Sequence, residues 1–244
     1  MTGYLDINHS GETYRVLLKR APAARRFTLR IRAASRDVTL TMPRRGAIAD
    51  ARDFAERHAA WIGARLRRLP SPVPFANGEV IPFRGEDHKI VHRSNARGAV
   101  WVEKEFALFG NGNLLCVAGG AEHVARRIAD YLRQCARRDL EAAVRKHATA
   151  IGKQPLRVTL RDTSSRWGSC TSAGHLNFSW RLILAPAFVL DYLAAHEVCH
   201  LVHLDHSPRF WKLVKSICPE TDRAEAWLSA HGSSLHRYGK TAPI

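Results

Sequence analysis

No apolar run in the 244 residues approaches the ~18 needed to cross a bilayer, so no membrane-spanning helix and no membrane partner are expected. The first residues, MTGYLDINHSGETYRVLL, lack a basic segment followed by an apolar core and a small-residue cleavage site. No secretory signal is therefore expected. Cysteine is scarce: Cys116, Cys135, Cys170, Cys199 and Cys218 are odd in number, scattered and without a CxxC pair. That pattern favours reduced thiols in a cytoplasmic setting over a disulfide framework. A Walker-type glycine loop is missing, as is a carboxylate cluster suited to Mg²⁺. Acidic residues are also few, 22 against 38 Lys and Arg, for a net charge of +16. Such a balance attracts polyanions such as nucleic acid, nucleotides or an acidic membrane face. Yet Arg far exceeds Lys and Ala is abundant, as GC-rich coding produces, and the charge is spread over most of the chain. Basicity alone assigns no function.

What is present reads as an ordinary globular chain, 45% hydrophobic and 25% charged, long enough for a substantial core. Period-two alternation in Tyr14, Val16, Leu18, then Phe27, Leu29, Ile31, then Val38, Leu40, Met42 predicts three strands. From about Ala47 to Leu69 the period becomes three and four, predicting one amphipathic helix. The run from Pro70 to Pro74 ends it as a stiff connector. A second strand-rich stretch covers roughly Glu79 to Val117. A long helix then follows over about Ala121 to Ile151, and a strand over Arg157 to Arg161. Two strand-rich stretches, each followed by helix, hint at a loose duplication. The expected class is α+β, with an N-terminal strand-rich region over 1–120 and a catalytic domain over 121–244.

The last third differs in kind. Pro186 suits a first helical turn, and Phe188 to about His203 is apolar nearly all round, the pattern of a buried helix. Ser207-Pro208 reads as a cap and first-turn proline for a helix to Ile217, and Ala224 to Ala230 suits a last short one. The buried helix carries His196-Glu197-Val198-Cys199-His200. Residues four apart share a helix face, so His196 and His200 can reach one ion. Glu197, one step round, can hold a water without taking a coordination position. Zn²⁺ accepts imidazole nitrogen, and a catalytic site keeps three protein ligands and one open position, where water is acidified. Glu197 would take that water's proton and pass it to the leaving group, the HExxH mechanism. Two histidines and a glutamate are costly in a buried helix unless each finds a partner, and a metal supplies one.

Three sources of a third ligand are open. His206, just before the Ser207 cap, could fold back at a turn, as in HExxHxxxxxH sites, and is the first choice. His203 continues the helical face at i+7, and Glu220 or Glu225 are weaker choices. Cys170 and Cys199 read as small buried residues rather than nucleophiles, and His175 as a conceivable transition-state donor. Trp167 and Trp180 read as packing. Arg166 suits either a salt bridge or stabilisation of developing oxyanion charge.

Arg166-Trp167-Gly168-Ser169-Cys170, then Leu176 to Leu182 (LNFSWRL), then HEVCHLVHLDHSPRFW from His196 to Trp211 resemble the YgjP-like metallopeptidase family, relatives of the WLM and SprT-like zincins. The resemblance implies a zincin-like catalytic domain, a small twisted sheet beside an active-site helix, with an N-terminal strand-rich extension. It implies His196, His200 and His206 as metal ligands and Glu197 as the catalytic glutamate. The expected function is zinc-dependent hydrolysis of a peptide or protein substrate. A metal-dependent phosphohydrolase of the nucleoside triphosphate pyrophosphatase type is the first rival. A nucleic-acid-associated zinc protein is the second, recognisable by steep salt dependence.

Overall fold

The computed structural model describes residues 2–32, 36–107, 110–163 and 165–240. The chain forms two compact units, Met1–Ser71 and Pro72–Ile244, dividing inside the proline-rich connector. The first holds four strands, β1 (Thr2–His9), β2 (Glu12–Ala21), β3 (Thr28–Ile31) and β4 (Val38–Pro43), ordered β1-β2-β4-β3. The β2–β4 pair is parallel and the other two are antiparallel. The three expected strands are present. β1 was not anticipated, although its Leu5 and Ile7 alternate into the core like their neighbours. Ser10 (φ 50°) and Gly11 (φ 80°) close β1 onto β2, the left-handed pair of a two-residue hairpin turn.

The expected single helix is two: α1 (Ile48–Arg57) and α2 (Ala59–Arg67). His58 breaks it. Its Nδ1 lies 2.7 Å from the Phe54 carbonyl oxygen and its ring stacks on Phe54, centroids 4.3 Å apart. The side chain thus competes for the backbone acceptor that an unbroken helix would use. Ala51, Ala55, Ala59 and Ile62 pack on Leu5, Ile7, Val16, Leu40 and Met42 as one core. Small residues let α2 lie close. A Cβ on Gly63 would stand 2.3 Å from the Tyr14 hydroxyl.

The second unit begins with β5 (Val80–Phe83), β6 (Glu86–Arg93), β7 (Val100–Ala107) and β8 (Gly110–Ala118), ordered β5-β6-β8-β7. A 27-residue helix, α3 (Val124–Ala150), buries Val124, Ile128, Leu132, Ala136, Leu140, Val144 and Ala148, a stripe at helical spacing. A small sheet follows, β9 (Arg157–Arg161), β10 (Gly168–Cys170) and β11 (His175–Ser179), ordered β10-β11-β9, with β10 at an edge. After a 3₁₀ turn over Trp180–Leu184 come α4 (Ala187–Cys199), α5 (Pro208–Ile217) and α6 (Thr221–His231).

One core joins the four-stranded sheet, α3 and α4. As its composition requires, α4 is buried nearly all round. Two polar ties fix it. Asp191 on α4 meets buried His147 and exposed Lys146 of α3, both at 3.0 Å. Just before α4, buried Arg181 makes a fork–fork pair with Asp162 at 2.6 and 3.1 Å and donates to the Tyr238 carbonyl at 2.7 Å. Removing Asp162 leaves that guanidinium uncompensated, at a cost on the order of 3 kcal/mol.

Candidate active site

The helix carrying the two histidines stops sooner than expected, at Cys199 instead of His203. Leu201 and Val202 donate to carbonyls three residues back, so the ladder tightens and ends. His200 assists this ending: its Nδ1 sits 2.9 Å from the His203 carbonyl oxygen. His203 therefore contributes backbone, and its ring is not part of the histidine cluster. The chain turns through Leu204 and Asp205 and brings His206 back. Ser207, whose hydroxyl accepts from the Phe210 amide, then caps α5 with Pro208 in its first turn.

Ligand nitrogens of His196, His200 and His206 lie within 4.8 Å of one another, the one such grouping among the described residues. The Nε2 atoms of His196 and His206 are 3.2 Å apart. Two nitrogens about 2.0–2.1 Å from a tetrahedral zinc would stand roughly 3.3 Å apart, so the spacing fits that ion. The remaining nitrogens have other tasks. His200 Nδ1 donates to the His203 carbonyl, while His196 Nδ1 is 3.3 Å from the Tyr192 hydroxyl, which itself donates to Glu225 Oε1 at 2.9 Å. Those bonds select the tautomer with Nε2 free to bind metal, as outer hydrogen bonds do around metal-binding imidazoles. Burial, then the neighbouring His200 and His206, pushes His196 down to about 4, and burial lowers His200 as well. Both are neutral near pH 7, the form a metal requires.

Phe210 and Trp211 wall the trio. Fully buried Phe210 stacks on His200 at 4.5 Å, and its ring centroid lies 5.0 and 4.9 Å from those of His196 and His206. Trp211 contacts the latter two. The aromatic pair after the cap thus restricts how the imidazoles can rotate.

Glu197 is 4% exposed and its Oε2 has no hydrogen-bond partner. Burial pushes its carboxyl up to about 8, opposed by the charge of exposed Arg166. A buried carboxyl with one unpartnered oxygen, next to three converging imidazoles, is what a divalent cation would compensate. Gly168 makes room for it: a Cβ there would stand 2.3 Å from Glu197 Oε1. The glycine of the RWGSC stretch is therefore required because α4 lays its carboxylate against β10.

Other expected residues fall outside the cluster. Glu225 serves through Tyr192, and Glu220 pairs with Arg223 at 2.8 Å. His175 begins β11, its amide bonded to the Thr171 hydroxyl. Trp167 stacks on His236 at 4.8 Å, and Trp180 is buried in the core. Burial raises the Cys170 thiol to about 11 and Cys199 to about 12, so neither is a thiolate nucleophile near neutrality. Sequence reasoning missed Tyr192, Phe210 and Trp211. Tyr192 left a signal, four residues before His196 on the same helix face, and Phe210 and Trp211 stand in the run that carries the family resemblance.

A sequence model described as "YgjP-like, metallopeptidase domain" matches residues 25–231. The chain belongs to the YgjP-like family. Its α+β architecture, a zincin-like domain with N-terminal strands, agrees with that membership. The YgjP-like match makes the chain a metallopeptidase-type protein, with the histidine cluster compatible with a metal cofactor. No curated protein and no solved structure matches it. Among the described residues, no helix is long and apolar enough to cross a membrane.

Proposed function

We propose that this YgjP-like protein is a zinc-dependent peptidase, its ion held by His196, His200 and His206 and its catalytic base Glu197. One observation carries the reading: three imidazoles converge within 4.8 Å beside a buried carboxyl with a free oxygen. A zinc ion so held would supply Lewis acidity, polarising a carbonyl and acidifying water. Glu197 takes the proton of the attacking water at Oε2 and returns it to the departing amine. Edge strand β10 offers backbone groups to an extended peptide, the usual mode of strand addition. Arg166, exposed and near enough for its charge to act on Glu197, is the candidate to meet developing negative charge. These chemical groups come from residues 121–244, while β5 to β8 pack on the same core and support them.

The decisive measurement pairs metal analysis with two substrates. Purified protein is expected to hold about one zinc per chain, lost in His196→Ala and His200→Ala. Glu197→Gln is expected to retain zinc and to lose at least about 1,000-fold in cleavage of unfolded casein. Phosphate release from nucleoside triphosphates, tested in parallel, should be absent. Casein cleavage undiminished in Glu197→Gln, or triphosphate hydrolysis that alone disappears with it, would overturn the peptidase reading.

A further inference from the structure

The first unit carries an unevenly large share of the charge. Residues 1–71 hold 15 Lys and Arg against 6 Asp and Glu, a net of +9 of the +16 in 71 of 244 positions. Some of that charge is used internally: Arg67 meets Glu12 at 2.9 Å, and Arg20 and Arg36 donate to backbone carbonyls. Arg30, Arg65 and Arg68 do none of this. All three are exposed, with no acidic or hydrogen-bonding partner among the described residues.

These three line one concavity of about 490 Å³, together with Leu29, Ile31, Trp61 and Ala64. The volume falls within the roughly 300–1,000 Å³ of ordinary ligand clefts. Trp61, Ala64, Arg65 and Arg68 are spaced i, i+3, i+4, i+7, so they form a single face of α2 and its C-cap. Ala64 keeps that face open. Leu29 and Ile31, two apart on edge strand β3, supply apolar area. Trp61 is 47% exposed, although an indole usually gains by being buried.

We infer that this groove binds single-stranded nucleic acid, with a base stacked on Trp61 and phosphates met by Arg30, Arg65 and Arg68. The combination selects the partner. Uncompensated guanidiniums call for an anion that accepts forked hydrogen bonds, as phosphate does. An accessible indole beside them calls for a flat ring, which polyglutamate and lipid headgroups lack. Stacking platform plus basic groove is the general solution for strands whose bases are unpaired. The inference stands on the first unit alone and does not depend on the histidine cluster.

Fluorescence anisotropy of the full chain with a labelled 12-residue oligodeoxythymidylate tests it. Three phosphate contacts predict a log Kd against log salt slope of magnitude about 2, given roughly 0.7 per contact on single strands. Arg65→Gln/Arg68→Gln should weaken binding at least about tenfold and cut the slope by more than half. The control Arg44→Gln/Arg45→Gln removes equal charge from exposed positions outside the groove and should change affinity by less than about threefold. Trp61→Ala should lose about tenfold, and Trp61→Phe should recover most of it. Circular dichroism of each variant confirms folding. Equal weakening by both double substitutions would reduce the binding to diffuse charge and overturn the inference. So would equally tight competition by polyglutamate, or by vesicles containing phosphatidylserine, at matched charge.

Discussion

The two four-stranded sheets are wired alike. Each runs in the order first, second, fourth, third, with antiparallel, parallel and antiparallel pairings, and each opens with a two-residue left-handed turn. Each is followed by helix. The hint of duplication in the chain thus corresponds to a repeated topology. What differs is what each sheet supports. In the first, Gly11 at the turn has open space around it. In the second, a Cβ on the equivalent Gly85 would lie 2.8 Å from Pro186, and the Arg84 amide donates to the Ile183 carbonyl at 2.7 Å. The same hairpin is a free edge in one unit and a buttress for the start of α4 in the other. Topology is shared; use is decided by what packs on it.

The largest expected contrast comes from two glycines with equal clearance. A Cβ meets a side-chain oxygen at 2.3 Å both at Gly63, against Tyr14, and at Gly168, against Glu197. Gly168→Ala should displace the carboxylate and cost roughly 100- to 1,000-fold in peptide cleavage, with zinc retained. Gly63→Ala should lower stability against urea by about 1–3 kcal/mol and leave cleavage within about twofold. Should Gly63→Ala abolish cleavage too, the two sheets would not differ in use as described.

Next in size are the turns. Gly85→Ala incurs left-handed strain and a clash with Pro186, about 3 kcal/mol together. Gly11→Ala incurs only the strain, about 1 kcal/mol. Equal costs in urea denaturation would mean that the second turn does not bear on α4.

The smallest effect is a pH dependence belonging to the second unit. Burial, then the positive charges of Arg181 and Lys240, pushes His236 down to about 4 against an opposing Asp162. The unfolded chain protonates it near 6.5, so unfolding takes up a proton between those values. Stability should therefore rise with pH from about 4 to 6.5 and level off above. His236→Phe should flatten that window in thermal denaturation. An unchanged slope would show that His236 titrates normally in the folded chain.

Much of the site was legible in one dimension because its signals are local. The four-residue spacing of His196 and His200, the uninterrupted apolar character of α4 and the Ser207-Pro208 cap all act within a turn or two of helix. Strand periodicity likewise needs only neighbours, and β1 was overlooked although Leu5 and Ile7 carry it. The break at His58 was hidden because the apolar period continues through it, while the interruption lies in a side chain taking a backbone acceptor.

By itself the chain determined the chemistry on offer: two imidazoles and a carboxylate on one buried helix, a third histidine one turn beyond, and a strongly basic first segment. Only tertiary structure decided that Gly168 must be bare because Glu197 lies against it, and that Glu225 accepts from Tyr192 and stands outside the histidine cluster. It also selected Arg30, Arg65 and Arg68 as the guanidiniums gathered about Trp61. Each of these depends on pairs distant in sequence, whose meeting is set by how helices and sheets bury their apolar faces. Spacing along the chain records no such distances.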